Sequence, residues 1–111
     1  MRSGALLLLL LLTACAPMPL TAPKAPGGAE ARVSLVDFEF QPKALKVAPG
    51  TTLVFVNQGQ APHTVTDNQG RFDSGVLAPG AEFRRTFTEP GTYAIYCRFH
   101  PYMVFGLEVG E

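Results

Sequence analysis

The sequence predicts an all-β protein, a sandwich of about eight short strands in two sheets. Three observations lead there. After position 31 the apolar residues come in short bursts, and turn chemistry cuts them apart at Pro49-Gly50, Asn57 to Gly59, Asn68 to Gly70, Pro79-Gly80 and Pro90-Gly91. The spaces between these breaks leave no room for a long helix. Eight strands in about 80 residues suit two small antiparallel sheets packed face to face.

The strands follow in order. Residues 32–38 form the first, and 43–48 the second, closed by Pro49-Gly50, which also opens 51–57. The turn from Asn57 to Gly59 separates that strand from 62–67, and the turn from Asn68 to Gly70 separates 62–67 from 71–76. Pro79-Gly80 leads into 81–88, Pro90-Gly91 leads into 91–97, and 104–109 is last. Alternation puts Leu53 with Phe55, and Tyr93 with Ile95 and Cys97, on inward faces. The strand at 81–88 carries Arg85 on the same face as Phe83 and Phe87. Either the arginine stem snorkels to an edge or a bulge shifts the register.

Ahead of this domain the chain reads differently. Leu6 to Leu12 is an unbroken leucine run behind Arg2, the layout of a signal peptide, and too short for a membrane span of about 20 apolar residues. It ends in Leu12, Thr13, Ala14 and Cys15, which resembles the lipobox of bacterial lipoprotein precursors. The resemblance implies cleavage before Cys15 and lipidation of that residue with more than one acyl chain, a stable anchor where one chain would be marginal. Ala16 follows, so an aspartate resembling an inner-membrane retention signal is absent and the choice of membrane stays open. Residues 15–30 are rich in Pro and Ala and read as a partly extended tether, with reach up to roughly 45 Å in the polyproline form. The organisation is therefore a signal peptide over 1–14, a lipidated cysteine and tether over 15–30, and one domain over 31–111. The expected location is the outer face of a bacterial membrane, periplasmic or otherwise outside the cytoplasm, with the lipid as the sole membrane contact.

Nine basic and nine acidic residues in 111 give no net charge, which argues against nucleic acid as a partner. The chain has two cysteines, and with Cys15 committed to lipid, Cys97 has no disulfide partner within it. A lone thiol in an oxidising compartment is a liability unless it is buried, bonded to another chain or holding a metal.

The chemistry concentrates in Tyr96, Cys97, Arg98, Phe99, His100, Pro101, Tyr102 and Met103. Cys97, His100 and Met103, three residues apart in a tight loop, offer a thiolate, an imidazole and a thioether to one point. The domain's one other histidine is His63, in a strand-like stretch after a turn. Two His and one Cys with a weak axial Met form the blue-copper arrangement, whereas zinc sites seldom recruit Met. Taken singly, Cys97 reads as a core cysteine, His63 as a satisfied strand histidine and Met103 as a gap filler; taken together, those readings fail.

The domain resembles the cupredoxin family over nearly all of residues 31–111. The matching pieces are Phe40-Gln41-Pro42, Leu45 and Val47 leading to Pro49-Gly50-Thr51, Phe55-Val56-Asn57, and Pro62-His63. After them come Phe72, Ser74, Gly75, Leu77, Pro79, Gly80, and Gly91-Thr92-Tyr93 ahead of Cys97. The two-residue gaps on both sides of His100 resemble those of amicyanin more than those of plastocyanin. The resemblance implies a Greek-key β-sandwich and one type 1 copper, cycling between Cu(I) and Cu(II), ligated by His63, Cys97, His100 and Met103. It also implies a small monomeric electron carrier whose partners are redox proteins, such as a cytochrome, an oxidase or a dehydrogenase. Two departures stand out. Thr64 sits where plastocyanin and amicyanin usually have Asn, and Arg98 follows the cysteine where a small or hydroxyl residue is common.

Pro62, Phe99, Pro101, Tyr102 and Phe105 are the candidates for an apolar docking collar around His100, although the last four serve equally well as core. Copper oxidases and nitrite reductases need further histidines, and the chain has only two, so an enzyme is not expected. The competing reading is a copper-binding module for storage, delivery or sensing.

Overall fold

The computed structural model describes residues 28–111. Cys15, the leucine run and the tether as far as residue 27 lie outside them. Eight strands run in order: β1 Glu30–Val36, β2 Glu39–Gln41, β3 Ala44–Val47, β4 Thr51–Asn57, β5 Thr66–Asp67, β6 Glu82–Phe87, β7 Gly91–Tyr96 and β8 Val104–Val109. One sheet has the order β2-β1-β4-β6 and the other β3-β8-β7-β5. The all-β sandwich expected from the sequence is thus present. Its sheets are mixed, however, and not antiparallel throughout: β1 pairs with β4 in parallel, and so does β3 with β8. Strands adjacent in sequence are cut by Pro and Gly turns, but those turns do not determine which strands pair across the fold.

Between the sheets lies one core. Phe40 and Phe55 of the first sheet meet Phe105 of the second at ring-centroid distances of 5.7 and 5.8 Å. Leu35, Leu53, Ile95 and Leu107 are buried around them. Burying each such side chain contributes about 1.5–3 kcal/mol. Tyr93, Ile95 and Cys97 face inward while Thr92 and Ala94 are exposed, as alternation predicts. In β4 alternation captures only half of the burial. Val54 and Val56 are buried along with Leu53 and Phe55, because β4 is an interior strand whose outer face is flanked in register by Arg32 and Arg84. The stems of such arginines cover apolar surface while their heads stay wet.

β6 settles the alternatives for Arg85. The register from Thr51↔Phe87 to Val56↔Glu82 is unbroken, so there is no bulge. β6 is an edge strand, and the Arg85 guanidinium lies 4.5 Å from the centre of the Phe72 ring and 5.4 Å from that of Phe87.

Two predicted strands are largely absent as sheet. The stretch 62–67 keeps only β5, and 71–76 forms no strand; isolated bridges His63↔Leu77 and Thr66↔Asp73 hold the two against each other. Side chains here take backbone donors that a ladder would otherwise use. Ser74 Oγ accepts the Val65 N–H at 2.8 Å, and the Asp67 carboxylate accepts those of Gln69 and Arg71 at 3.2 and 2.9 Å. Conversely β2, which the sequence leaves between strands, pairs with β1 and buries Phe40. Gly28 and Ala29, assigned from sequence to the tether, bond to Gly50 and Thr52, and Glu30 already belongs to β1.

Candidate metal centre

Three donors converge at one end of the sandwich. His63 Nδ1 lies 3.7 Å and His100 Nδ1 3.8 Å from Cys97 Sγ, and all three atoms fall within 4.8 Å of one another. His63 and Cys97 are buried and His100 is half-buried. Cys97 takes its position from β7, one residue past the end of that strand and on its inward face. His100 is delivered by the loop that follows. That loop is closed by its own backbone: Cys97 N–H donates to Met103 O at 3.3 Å, His100 N–H to Cys97 O at 3.2 Å, and Met103 N–H to His100 O at 2.8 Å. Met103 is buried at the end of this closure.

His63 is positioned by residues whose part in the site the sequence did not reveal: Asp37, and Asn57 with Gly59, which read only as a turn and a family match. The buried Asn57 side chain donates to Ala61 O at 2.9 Å and Leu77 O at 2.8 Å, and accepts the Gly59 N–H at 2.9 Å, which shapes the turn leading into Pro62-His63. Asp37, just past β1, accepts the N–H groups of Gln60 at 2.8 Å and Ala61 at 3.3 Å and the ring of His63 at 2.7 Å. Those contacts, the Gln60 N–H first and His63 next, hold its carboxyl below the ordinary range, so it is an acceptor only. His63 therefore donates through Nε2, which leaves the lone pair of Nδ1 facing Cys97. Gly59 is required at this turn, because a Cβ there would overlap the Asp37 carboxylate. A single aspartate far upstream in sequence carries no spacing signal that would link it to His63.

Both departures are also placed. The hydroxyl of Thr64 accepts the backbone N–H of Arg98 at 2.8 Å, and so ties the residue after His63 to the residue after Cys97. The Arg98 side chain turns away to Asp73, with Nε donating to Oδ2 at 2.8 Å.

The expected collar is partly redrawn. Pro62, Phe99, Pro101 and Tyr102 are exposed, and the rings of Phe99 and Tyr102 lie 6.5 and 6.1 Å from that of His100. Phe105 is a correction: at 1% exposure it is core, because β8 points it inward between Phe40 and Phe55. Its place is taken by Phe38, 46% exposed and with its ring 4.6 Å from that of His100. The chemistry of the donor set fits copper: a thiolate and two imidazoles with a thioether in the same loop are soft and borderline ligands, unlike the oxygen set that calcium or magnesium requires.

Comparisons with known proteins agree with this architecture. Residues 4–106 match the family described as Cupredoxin-like domain. A chloroplastic plastocyanin from Hordeum vulgare is 36% identical over 72 residues, covering 55% of this chain and 46% of that protein. The chain thus spans about half the length of the curated relatives it matches. Among solved structures, a purple cupredoxin from Nitrosopumilus maritimus has a TM-score of 0.66 at 28% identity, covering 72% of this chain and 99% of its own. The Cu-containing nitrite reductase of Thermus scotoductus SA-01 has a TM-score of 0.67 at 29% identity, covering 88% of this chain but 26% of the enzyme. With the sandwich, the three converging donors and this match over most of its length, the chain belongs to the cupredoxin-like domain family.

Proposed function

We propose that this protein is a one-electron carrier whose single copper is held by His63, Cys97, His100 and Met103. The observation that carries the reading is the convergence of His63 Nδ1, Cys97 Sγ and His100 Nδ1 within 4.8 Å, in a frame already fixed by hydrogen bonds. Copper supplies a reversible one-electron step between Cu(I) and Cu(II). The residues supply a rigid setting for it. Asp37 orients His63, the closed 97–103 loop orients His100, and Thr64 locks the two ligand segments together. Ligands that stay put between oxidation states keep the rearrangement at each transfer small.

His100 is half-buried among Phe38, Phe99 and Tyr102, which makes it the exit for the electron and these rings the docking surface for redox proteins. Loading the full chain with Cu(II) tests the reading. An intense thiolate-to-copper band and a reversible voltammogram support it, and a colourless or irreversible product refutes it. The lipobox-like Cys15 supports a location at the cell envelope, anchored by lipid. Cys15→Ala should release the protein from membranes with its spectrum unchanged; retention would place the anchor elsewhere.

A further inference from the structure

Arg98 is tied to the His63 segment twice, and by different groups. Its backbone N–H donates to Thr64 Oγ1, and the Thr64 and Thr66 hydroxyls share a hydrogen bond at 2.9 Å. Thr66 stands opposite Asp73 in an isolated bridge. The Asp73 carboxyl is held below its ordinary value by the Arg98 guanidinium first, with the Thr66 hydroxyl among the other groups that favour its charged form. Asp73 then returns to Arg98 through Nε at 2.8 Å and Nη2 at 3.3 Å. Hydrogen bonds thus run from the Arg98 amide to Thr64 and on to Thr66, the bridge sets Thr66 opposite Asp73, and the guanidinium returns from Arg98 to Asp73. Thr64 and Thr66 are buried, so water does not readily replace them. Hydrogen bonds chained in this way polarise one another.

We propose that Arg98, Asp73, Thr66 and Thr64 form a latch that holds the Cys97 loop against the His63 segment, and that the exposed Arg98–Asp73 pair governs how firmly the ligand set retains copper. The proposal rests on the copper reading above for its functional consequence, but the latch itself belongs to the protein without metal. These are positioning residues. An isolated exposed ion pair contributes little, because solvent and salt screen it. Here the pair is the closing link of a buried chain, so opening it frees the amide next to Cys97. Simple charge effects and a latch also make different predictions. Removing the negative charge of Asp73 and removing the positive charge of Arg98 should shift copper retention in opposite directions if only charge matters. If the ring matters, both should weaken it.

The test uses the full chain and three variants, Asp73→Asn, Arg98→Gln and Thr64→Val, with Thr64→Ser as the conservative rescue. Asparagine at 73 retains the acceptor that Asp73 Oδ1 offers the Gly75 N–H at 2.8 Å, so the local turn is kept. Copper loss from the reduced protein to excess Cu(I) chelator should quicken in all three variants by about tenfold, the lower end of what supporting partners of metal ligands contribute. Thr64→Ser should match the parent, and the double variant Asp73→Asn with Arg98→Gln should be no faster than the faster single. Amide hydrogen exchange in metal-free protein supplies a readout independent of copper: the Arg98 N–H should exchange faster in Asp73→Asn. Opposite effects at 73 and 98, additive effects in the double variant, or unchanged Arg98 exchange in Asp73→Asn would each overturn the latch. Failure of the parent to take up copper would overturn the copper reading instead, while the exchange measurement still decides whether the latch exists.

Discussion

At the scale of single residues, Cys97 and Asp37 stand at opposite ends of legibility. Cys97 is conspicuous as the one cysteine of the domain, set three residues from His100, and the structure finds it buried with a ring nitrogen of each histidine under 4 Å from its sulfur. Replacing its sulfur with a hydroxyl leaves the sandwich standing, because one buried atom changes. It removes the covalent sulfur-to-copper charge transfer, so Cys97→Ser should abolish the intense visible band while far-UV circular dichroism stays that of the parent. An unchanged band would remove Cys97 from the ligand set. Asp37 has no such signature, since its role depends on a turn between β1 and β2 folding back onto residues 60–63. Asp37→Ala should cost about 10- to 100-fold in copper affinity, because His63 loses the acceptor that fixes its tautomer and ring orientation. Competition with a chelator of known affinity measures this, and parent-like retention would show that the Asn57 frame alone suffices to position the histidine.

At the scale of elements, the strongly alternating strands were legible and the polar ones were not. β4, β6, β7 and β8 fall within a residue or so of where the sequence places them, since turn residues mark their ends and, outside β4, alternation marks their faces. The segment from His63 to Leu77 failed as a pair of strands because Asp67, Ser74 and Asn57 spend side-chain bonds on backbone groups. Its order is therefore set by polar side chains, one of them the ionised Asp67, more than by ladders. Asp67 is buried, and its burial, which on its own raises the carboxyl, is outweighed by the Arg71 side chain and the N–H groups of Arg71 and Gln69, leaving its folded value below the ordinary 3.8. A carboxyl depressed on folding contributes stability that is fully present above its unfolded value and lost as pH falls through the folded one. Asp67→Asn should therefore destabilise the neutral protein by about 1–3 kcal/mol, the cost of breaking a buried charge-assisted set. The gap between parent and variant should close as pH drops below about 4. Thermal melts across that range decide the matter; a gap that stays constant into acid would show that the charge of Asp67 contributes nothing.

At the scale of the whole molecule, one end of the sandwich combines the half-buried ring of His100 with exposed apolar side chains, and residues 31–111 carry seven basic against eight acidic side chains. The sequence indicates the composition of that end but not its membership. Phe105 and Tyr102 look alike in a string of aromatics, but the register of β8 turns Phe105 inward, whereas Tyr102 lies in the loop before that strand and is 68% exposed. Phe38 arrives from the opposite sheet, 62 positions before His100, so spacing does not reveal it. If electrons leave through His100, two copies of the protein should exchange them with these apolar ends in contact. Nearly neutral, apolar faces meet without much electrostatic help or hindrance, so self-exchange in the parent should respond weakly to ionic strength. Tyr102→Asp places a carboxylate on each of the two approaching faces. Like charges at close range suppress encounter and are relieved by salt, since exposed charges are screened beyond about 10 Å at 0.1 M ionic strength. Self-exchange measured by NMR line broadening in mixtures of oxidised and reduced protein should therefore slow by about tenfold or more at low salt. It should recover partly at high salt, with the visible spectrum unchanged because Tyr102 is not among the proposed ligands. A Tyr102→Asp protein that exchanges as fast as the parent at low salt would place the electron's exit on another face of the sandwich.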